Sequence, residues 1–151
     1  MKFTICVGGG TFDHFHPGHK RLLSTMMLVS DRVSIGLVSD SFLDKLRDRK
    51  ICPELIQSYS QRYSSVESFF LSNNFTDFEI LSLNEPYGQA VEYDSADVIV
   101  VTPETKITAY NINEERTKHG FTPLTIVTIS RLRDEEGKII SSSRIRKKMS
   151  N

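Results

Sequence analysis

Apolar and polar residues alternate along this chain in a way that predicts strands separated by helices. The run Ala96–Thr102 (ADVIVVT) is continuously apolar, which indicates a central strand buried on both faces. Arg32–Val38 is apolar at alternate positions, which is typical of a half-buried strand. The predicted strands are Phe3–Val7, Arg32–Val38, Phe78–Leu83, Ala96–Thr102 and Leu124–Ile129.

Longer segments with a helical period lie between these strands. In Gln57–Asn73 the aromatic and aliphatic residues recur at helical spacing, so this segment predicts an amphipathic helix with a buried face. The predicted helices are Pro17 to about Val29, Gln57–Asn73, Glu104–Lys118, and a last one from a cap at Ser141 or Ser142 to about Met149. Alternating strands and helices predict an α/β fold with a parallel sheet and right-handed crossovers, in one domain over residues 1–151.

The stretch Val7–His19 (VGGGTFDHFHPGH) combines features of an anion site. Three glycines follow the first strand, and glycine allows the positive φ angles that would turn backbone amides toward a ligand. Pro17 begins a helix whose N-terminal amides and dipole favour negative charge. His16 and His19 lie on one face of its first turn. The stretch therefore predicts a site for a ligand with several negative charges, such as a nucleoside triphosphate.

Composition narrows the class of protein. The 151 residues are 38% apolar and 25% charged, with a formal charge of zero, which argues against nucleic acid or an anionic membrane as the main partner. No apolar run approaches the roughly 20 residues of a membrane span. Two cysteines are too few for a disulfide framework, so we expect a cytoplasmic protein with reduced thiols. The Walker motif is absent, and Asp13 stands where a dinucleotide fingerprint has its third glycine.

Two motifs near opposite ends of the chain carry a family resemblance. His16–His19 (HPGH), behind GGTFD, resembles the (H/T)xGH signature of nucleotidyltransferases, and Ile140–Arg146 (ISSSRIR) resembles their ISSTxIR motif with serine in the threonine place. Within that superfamily the chain is most similar to the archaeal and eukaryotic phosphopantetheine adenylyltransferases. The resemblance covers essentially the whole chain and implies a Rossmann-like sheet of five parallel strands with helices on both faces.

The resemblance implies transfer of the adenylyl group of ATP to 4′-phosphopantetheine, which gives dephospho-coenzyme A and pyrophosphate. By resemblance, His19 stabilises the transition state, while His16 and the glycines hold ATP phosphates. Magnesium would arrive with ATP, because no carboxylate cluster is dedicated to it. The predicted ATP-binding residues are Gly9, Gly10, Thr11, Phe12, His16, His19, Thr102, Glu104, Ser141, Ser142, Ser143 and Arg146; the predicted acceptor residues are Thr11, Lys45, Leu83 and Tyr87.

For several basic residues the sequence leaves more than one role or candidate open. Lys45, predicted as catalytic, matches the mobile-loop lysine of the family, and Arg47, Arg49 and Lys50 compete for that role within the polar segment Ser39–Pro53. That segment is either a loop with a short helix or a mobile flap. The bacterial branch has an arginine after the fourth strand, where this chain has Val101-Thr102. The remaining candidates to hold the acceptor phosphate are Arg62, Arg116 and Lys106.

Other functions remain open from the sequence. His14, His16 and His19 suggest zinc, but the cysteines lie elsewhere and Asp13 is the only acid beside them. Asp13 is either a catalytic acid or a residue that fixes its loop by accepting from backbone amides. Nicotinamide mononucleotide adenylyltransferases share both motifs, and a regulatory domain that binds nucleotide without turnover is the alternative from another class. The oligomeric state stays open between a monomer and a small homo-oligomer.

Overall fold

A computed structural model describes residues 2–46 and 50–150. The strands are β1 Phe3–Gly10, β2 Ser30–Val38, β3 Phe78–Leu83, β4 Val98–Val101 and β5 Thr125–Thr128. The helices are α1 Pro17–Val29, α2 Asp40–Leu46, α3 Tyr59–Ser72, α4 Lys106–Lys118 and α5 Ser142–Met149. Short 3₁₀ turns cover Pro53–Leu55 and Gly88–Val91. Within the described residues, no helix is both long enough and apolar enough to cross a membrane.

The five strands form one parallel sheet in the order β3-β2-β1-β4-β5, which confirms the predicted α/β, Rossmann-like fold. Helices cover both faces, as predicted. On one face α1 and α3 pack over a cluster that includes Val98 and Val100. On the other, α4 and the turn Gly88–Val91 pack over Ile99 and Val101. The continuous apolar run in β4 therefore contributes buried side chains to the core on both faces of the sheet.

The predicted conformation of the glycines after the first strand is wrong. Gly8, Gly9 and Gly10 belong to β1, where they pair with β2, and none has a positive φ. Close packing explains them instead. A β-carbon on Gly8 would lie 2.3 Å from Cε of Met26 in α1, and one on Gly9 would lie 3.1 Å from the carbonyl oxygen of Gly36 in β2.

The segment after β2 contains the short helix α2, as the interpretation of this segment as a loop with a short helix predicted. Arg47 and Arg49, two of the competing cations, lie outside the described residues. Ser58 begins α3 with a capping box to Gln61, and Ser141 caps α5, so Ser141 and not Ser142 is the last N-cap.

A crevice opens where the chain order reverses between β1 and β4. These strands pair only at Cys6–Val98 and Val7–Ile99, whereas β1 continues beside β2 as far as Gly10. In open α/β sheets, ligands bind outside the carboxyl ends of the strands at such a switch point.

Candidate active site

Two adjoining cavities occupy this crevice. The first has a volume of about 610 Å³ and lies over the glycine end of β1; the second has about 500 Å³ and lies between the N-termini of α1 and α5. His19 and Lys50 are among the residues that line both. Molecules held in the two cavities would therefore meet beside these two side chains.

The loop between β1 and α1 has a strained backbone. Phe12 and His14 have φ angles of 53° and 45°, in the left-handed region that costs non-glycine residues about 1–3 kcal/mol. Hydrogen bonds to the following loop hold it: the amide of His14 donates to Oε1 of Gln57 at 3.0 Å, and the His14 ring contacts the carbonyl of Leu55 at 2.8 Å. His14 is thus a structural bridge between two loops of the site.

Hydrogen bonds fix the tautomers of both signature histidines. Nδ1 of His16 accepts from the amide of Gly18 at 3.0 Å, and Nδ1 of His19 accepts from the amide of His16 at 3.2 Å. In each neutral imidazole the proton then lies on Nε2. A β-carbon on Gly18 would come within 2.8 Å of the His16 ring, which explains the glycine between the histidines.

Both imidazoles stay neutral near pH 7. Burial lowers the pKa of His19 to about 3, with a further decrease from the neighbouring His16, whose ring stacks on it at 3.7 Å between centroids. Burial also lowers the pKa of His16, although Asp13 opposes that shift. The rings therefore suit hydrogen-bond donation from Nε2 and are poor proton acceptors at neutral pH.

Asp13 fixes its loop, as one of the two sequence interpretations predicted. Its Oδ1 accepts from the amide of Gln57 at 2.8 Å, and its Oδ2 pairs with Nη1 of Arg146 at 2.6 Å. Arg146 also donates to the carbonyl of Ile51 at 2.8 Å and to Oγ of Ser143 at 3.4 Å. Asp13 and Arg146 are 1% and 2% exposed. The structure therefore places Arg146 in a buried ion pair, whereas the sequence placed it on ATP phosphates.

The three serines at the start of α5 also contact protein groups. Oγ of Ser141 accepts from the amide of Arg144, Oγ of Ser142 donates to the carbonyl of Asp13 at 2.5 Å, and Oγ of Ser143 accepts from Arg146. Ser141 and Ser142 line the second cavity, and Ser143 lines neither of the two. The hydroxyls thus bind α5 to the β1–α1 loop, and the first turn of α5 faces the cavity.

Lys50, and not Lys45, is the lysine that reaches the cavities. Lys45 is exposed near the end of α2 and lines neither cavity, whereas Lys50 lines both. Burial, then the charge of Arg146, lowers the pKa of Lys50. Within residues 2–46 and 50–150, no hydrogen-bond or ion-pair partner reaches its ammonium group. A half-buried cation in this setting favours an anionic ligand.

None of the three candidates for the acceptor phosphate lines either cavity. Arg62 is fully buried and donates to the carbonyls of Thr11, Val38 and Gln57 and to Asp40. Arg116 is fully buried and donates to four backbone carbonyls, those of Ala90, Tyr93, Ala96 and Thr122. Lys106 is exposed over the ring of Tyr110. The two arginines hold the fold together, and Arg62 anchors the end of β1.

The other predicted residues lie at the cavities. Gly9, Gly10, Thr11, Phe12, Leu83 and Tyr87 line the first, His16 and Glu104 line the second, and Thr102 lines both. Glu104 also pairs with Arg131. The sequence reading missed Gly36, which pairs with Gly9 and completes a floor without side chains. A glycine inside a strand pattern signals close backbone approach, so this residue could have been found.

Comparison with known proteins agrees with this geometry. The cytidylyltransferase-like family model matches residues 7–148, nearly the whole chain. The chain belongs to the cytidylyltransferase-like family.

Two archaeal proteins are among the curated relatives of this chain. The chain is 42% identical to the phosphopantetheine adenylyltransferase of Methanopyrus kandleri over 146 residues, which are 96% of this chain and 90% of that protein. It is 37% identical to the phosphopantetheine adenylyltransferase of Pyrobaculum aerophilum, over 97% of this chain and 92% of that protein. A crystal structure of a protein of unknown function from Archaeoglobus fulgidus superposes with a TM-score of 0.69 and 29% identity, over 83% of this chain and 97% of that chain.

Proposed function

We propose that this protein transfers the adenylyl group of ATP to 4′-phosphopantetheine, giving dephospho-coenzyme A and pyrophosphate. The relatives named for this activity match the chain over nearly their full length. The observation that carries the proposal is the pair of cavities that meet at His19 and Lys50. One is lined largely by apolar groups, and the other lies between two helix N-termini, so together they suit a pantetheine arm and a triphosphate.

ATP belongs in the second cavity under this proposal. The positive N-terminal ends of the α1 and α5 dipoles, with the Nε2–H groups of His16 and His19, would attract and bind the phosphates. Thr102 and Glu104, in the turn into α4, also line this cavity and would contact the nucleoside. The second cavity therefore combines donors for the phosphates with polar side chains for the nucleoside.

The acceptor belongs in the first cavity. Its phosphate would lie beside Thr11 and Lys50, near the junction with the ATP site. Its arm would then run over the glycine floor of Gly9 and Gly36 between the apolar side chains of Leu83 and Tyr87. A pantetheine arm carries a dimethyl carbon that requires such an apolar wall.

The reaction needs positioned donors and no general base. A phosphate oxygen of the acceptor attacks the α-phosphorus of ATP, the new P–O bond forms, and the bond to the bridging oxygen breaks as pyrophosphate leaves with its electron pair. A phosphate monoester is already ionised near pH 7, so no proton must be removed. Negative charge grows on the α-phosphate oxygens, and Nε2–H of His19 is the donor we assign to it.

Magnesium is the metal ion we propose, bound to the ATP phosphates. Within the described residues, no group of three or more His, Cys, Asp or Glu side chains could hold a metal ion. The nearest carboxylates are engaged, Asp13 with Arg146 and Glu104 with Arg131. The residues proposed to contact the phosphates are hydrogen-bond donors and not metal ligands, which fits an ion that enters the site already bound to ATP. When bound, it would neutralise part of the phosphate charge.

Pyrophosphate release should depend on the identity of the acceptor. Nicotinamide mononucleotide adenylyltransferase is the alternative, because its family motifs are the same as those here. We expect release with ATP and 4′-phosphopantetheine to be at least ~10²-fold faster than with nicotinamide mononucleotide, since a fitted site with unpaired polar groups rejects a wrong ligand strongly. A coupled pyrophosphate assay with each acceptor, and with ATP alone, measures this.

Each outcome of that assay has a separate meaning. Equal or faster turnover with the mononucleotide would overturn the acceptor and leave adenylyl transfer intact. No pyrophosphate with either acceptor, from protein that binds ATP in calorimetry, would favour a regulatory nucleotide-binding domain. We place the reaction in the cytoplasm, which agrees with two cysteines present as thiols.

Lys50 should matter for turnover, and Lys45 should not. Lys50→Met removes the cation at the junction of the cavities, and we expect kcat/KM for 4′-phosphopantetheine to fall about 10- to 100-fold, the range for a lost hydrogen bond to a charged group. Lys45→Met is the matched control, because Lys45 is an exposed lysine outside both cavities. It should change kcat/KM by less than about twofold. The reverse order of effects would return the role to Lys45.

A further inference from the structure

A line of polar side chains interrupts the apolar lining of the first cavity. Nε2 of Gln89 donates to Oγ of Ser34 at 2.6 Å, and Oγ of Ser34 donates to Oε1 of Glu79 at 2.9 Å. The other oxygen of Glu79 lies 3.7 Å from Nη2 of Arg32. Ser34 is fully buried in β2, and both Ser34 and Gln89 line the cavity. This chain of hydrogen bonds lies away from the histidines and has no part in the reaction described above.

The order of donors fixes the orientation of the Gln89 amide. A carboxylate only accepts, so the single Ser34 hydroxyl proton goes to Glu79. Ser34 must then accept from Gln89, which places the amide nitrogen toward Ser34 and leaves Oε1 as a separate acceptor. No donor among residues 2–46 and 50–150 reaches Oε1 of Gln89. Around it, the cavity is lined by Leu83, Tyr87 and Ala90. An oriented acceptor among apolar side chains is a feature that selects a ligand donor.

The distance from the reacting phosphate to the level of Ser34 in the sheet matches the position of one group in the acceptor arm. Ser34 pairs with Val7 in the sheet, and Thr11 follows Val7 by four residues, one residue beyond the end of β1. At about 3.3 Å per residue, Thr11 and the level of Ser34 are about 13 Å apart along the strand direction. In 4′-phosphopantetheine ten bonds separate phosphorus from the nitrogen of the second amide, the one that bears the cysteamine. An extended chain of three bonds spans about 3.3–3.6 Å, so ten bonds span about 11–12 Å.

We infer that Gln89 determines acceptor specificity by accepting a hydrogen bond from the second amide N–H of the acceptor. Ser34 and Glu79 are positioning residues, because they hold the Gln89 amide in the orientation that exposes Oε1. This inference rests on the proposed function and extends it from the phosphate end of the acceptor to the far end of its arm. The first amide, six bonds from phosphorus, lies too near the phosphate to reach the level of Ser34.

The test compares two acceptors that differ at this amide. The first is 4′-phosphopantetheine, and the second is the 4′-phosphate of N-butylpantoamide, which carries a methyl group, and so no donor, at the position of the second amide nitrogen. Gln89→Met keeps the side-chain length and removes both amide atoms. We expect it to lower kcat/KM for phosphopantetheine about tenfold, the scale of one neutral hydrogen bond, and to leave kcat/KM for the butylamide and KM for ATP within about twofold.

A second pair of variants tests the positioning role. Ser34→Ala leaves the Gln89 amide without its partner and should reduce the preference for phosphopantetheine in the same direction. Ser82→Ala is the matched control, a serine on the neighbouring strand that lines neither cavity and donates to Tyr59. It should leave the ratio of the two kcat/KM values unchanged.

The possible failures are distinguishable. Wild-type protein that releases no pyrophosphate with either phosphorylated acceptor overturns the proposed function, and this inference falls with it. Active wild-type protein whose Gln89→Met variant loses equal activity toward both acceptors, or keeps the wild-type ratio, overturns this inference alone. In that case Gln89 only stabilises the turn Gly88–Val91. The variant would then lose stability in thermal unfolding, and its preference between the two acceptors would not change.

Discussion

Replacing His19 with alanine should lower kcat for pyrophosphate release by about 10²–10³-fold, or about 3–4 kcal/mol, with a small change in KM for ATP. His19 is neutral, and its Nε2–H is fixed by the bond that Nδ1 accepts from His16. A donor aimed at charge that exists only in the transition state stabilises that state and contributes little to ground-state binding. Steady-state kinetics with both substrates varied would measure the effect.

Two further variants make the His19 result specific. His19→Gln retains a neutral side-chain N–H donor and should recover part of kcat. His119→Ala is the control, because His119 follows α4 and lines neither cavity; its kinetics should match wild type. Loss of ATP affinity in His19→Ala at unchanged kcat would show that His19 binds the ground state.

Acid should destabilise the fold partly through His19. Its pKa is about 3 in the folded protein and 6.5 in the unfolded chain. Between these values the unfolded state binds the additional proton, so the free energy of unfolding falls as pH falls from 6.5 toward 3. Because His19 stays neutral across the neutral range, it should add no titration to the profile of kcat between about pH 6 and 8.

Replacing Arg146 with methionine should destabilise the protein by about 3–5 kcal/mol, because it leaves the buried carboxylate of Asp13 without its partner. Arg144→Met is the matched control in the same helix. It pairs with Asp134, and the two side chains are 32% and 30% exposed; it also donates to the carbonyl of Ile139. That change should cost about 1 kcal/mol or less. Urea unfolding followed by circular dichroism would measure both.

A double variant separates the ion pair from phosphate binding. Asp13→Asn with Arg146→Met removes the unpaired charge and should recover part of the lost stability. Were Arg146→Met instead to keep wild-type stability and lose ATP binding, the arginine would act on phosphate, as the family resemblance implied.

The sequence predicted the fold well because its periodic signals are strong and local. Pro17 and the histidines mark the start of α1, and the apolar run in β4 indicates a strand covered on both faces. The glycines of β1 were assigned to a turn, because no local signal shows that Met26 and Gly36 approach them. A glycine inside a strand can signal close packing, but the residue that packs against it is distant in sequence and cannot be read from a single stretch.

Charged residues of the site were harder to place, since their roles depend on tertiary partners. Arg146 matches a motif position, and only the fold shows that Asp13 is its partner. Lys50 and Lys45 are five residues apart in a polar segment, and α2 directs one away from the cavities. The Ser34–Gln89 pair combines a strand with a turn 55 residues later, a distance at which residue pattern carries no information.

The ion pair between Asp13 and Arg146 has a consequence for the order of assembly in the cell, because it joins residues 133 positions apart. A ribosome delivers the β1–α1 loop early and α5 only after all five strands. Until α5 docks, the Asp13 carboxylate of a nascent chain lacks its guanidinium partner. We therefore expect the sheet to form before this ion pair does, and a chain released before residue 146 would keep a β1–α1 loop without that partner.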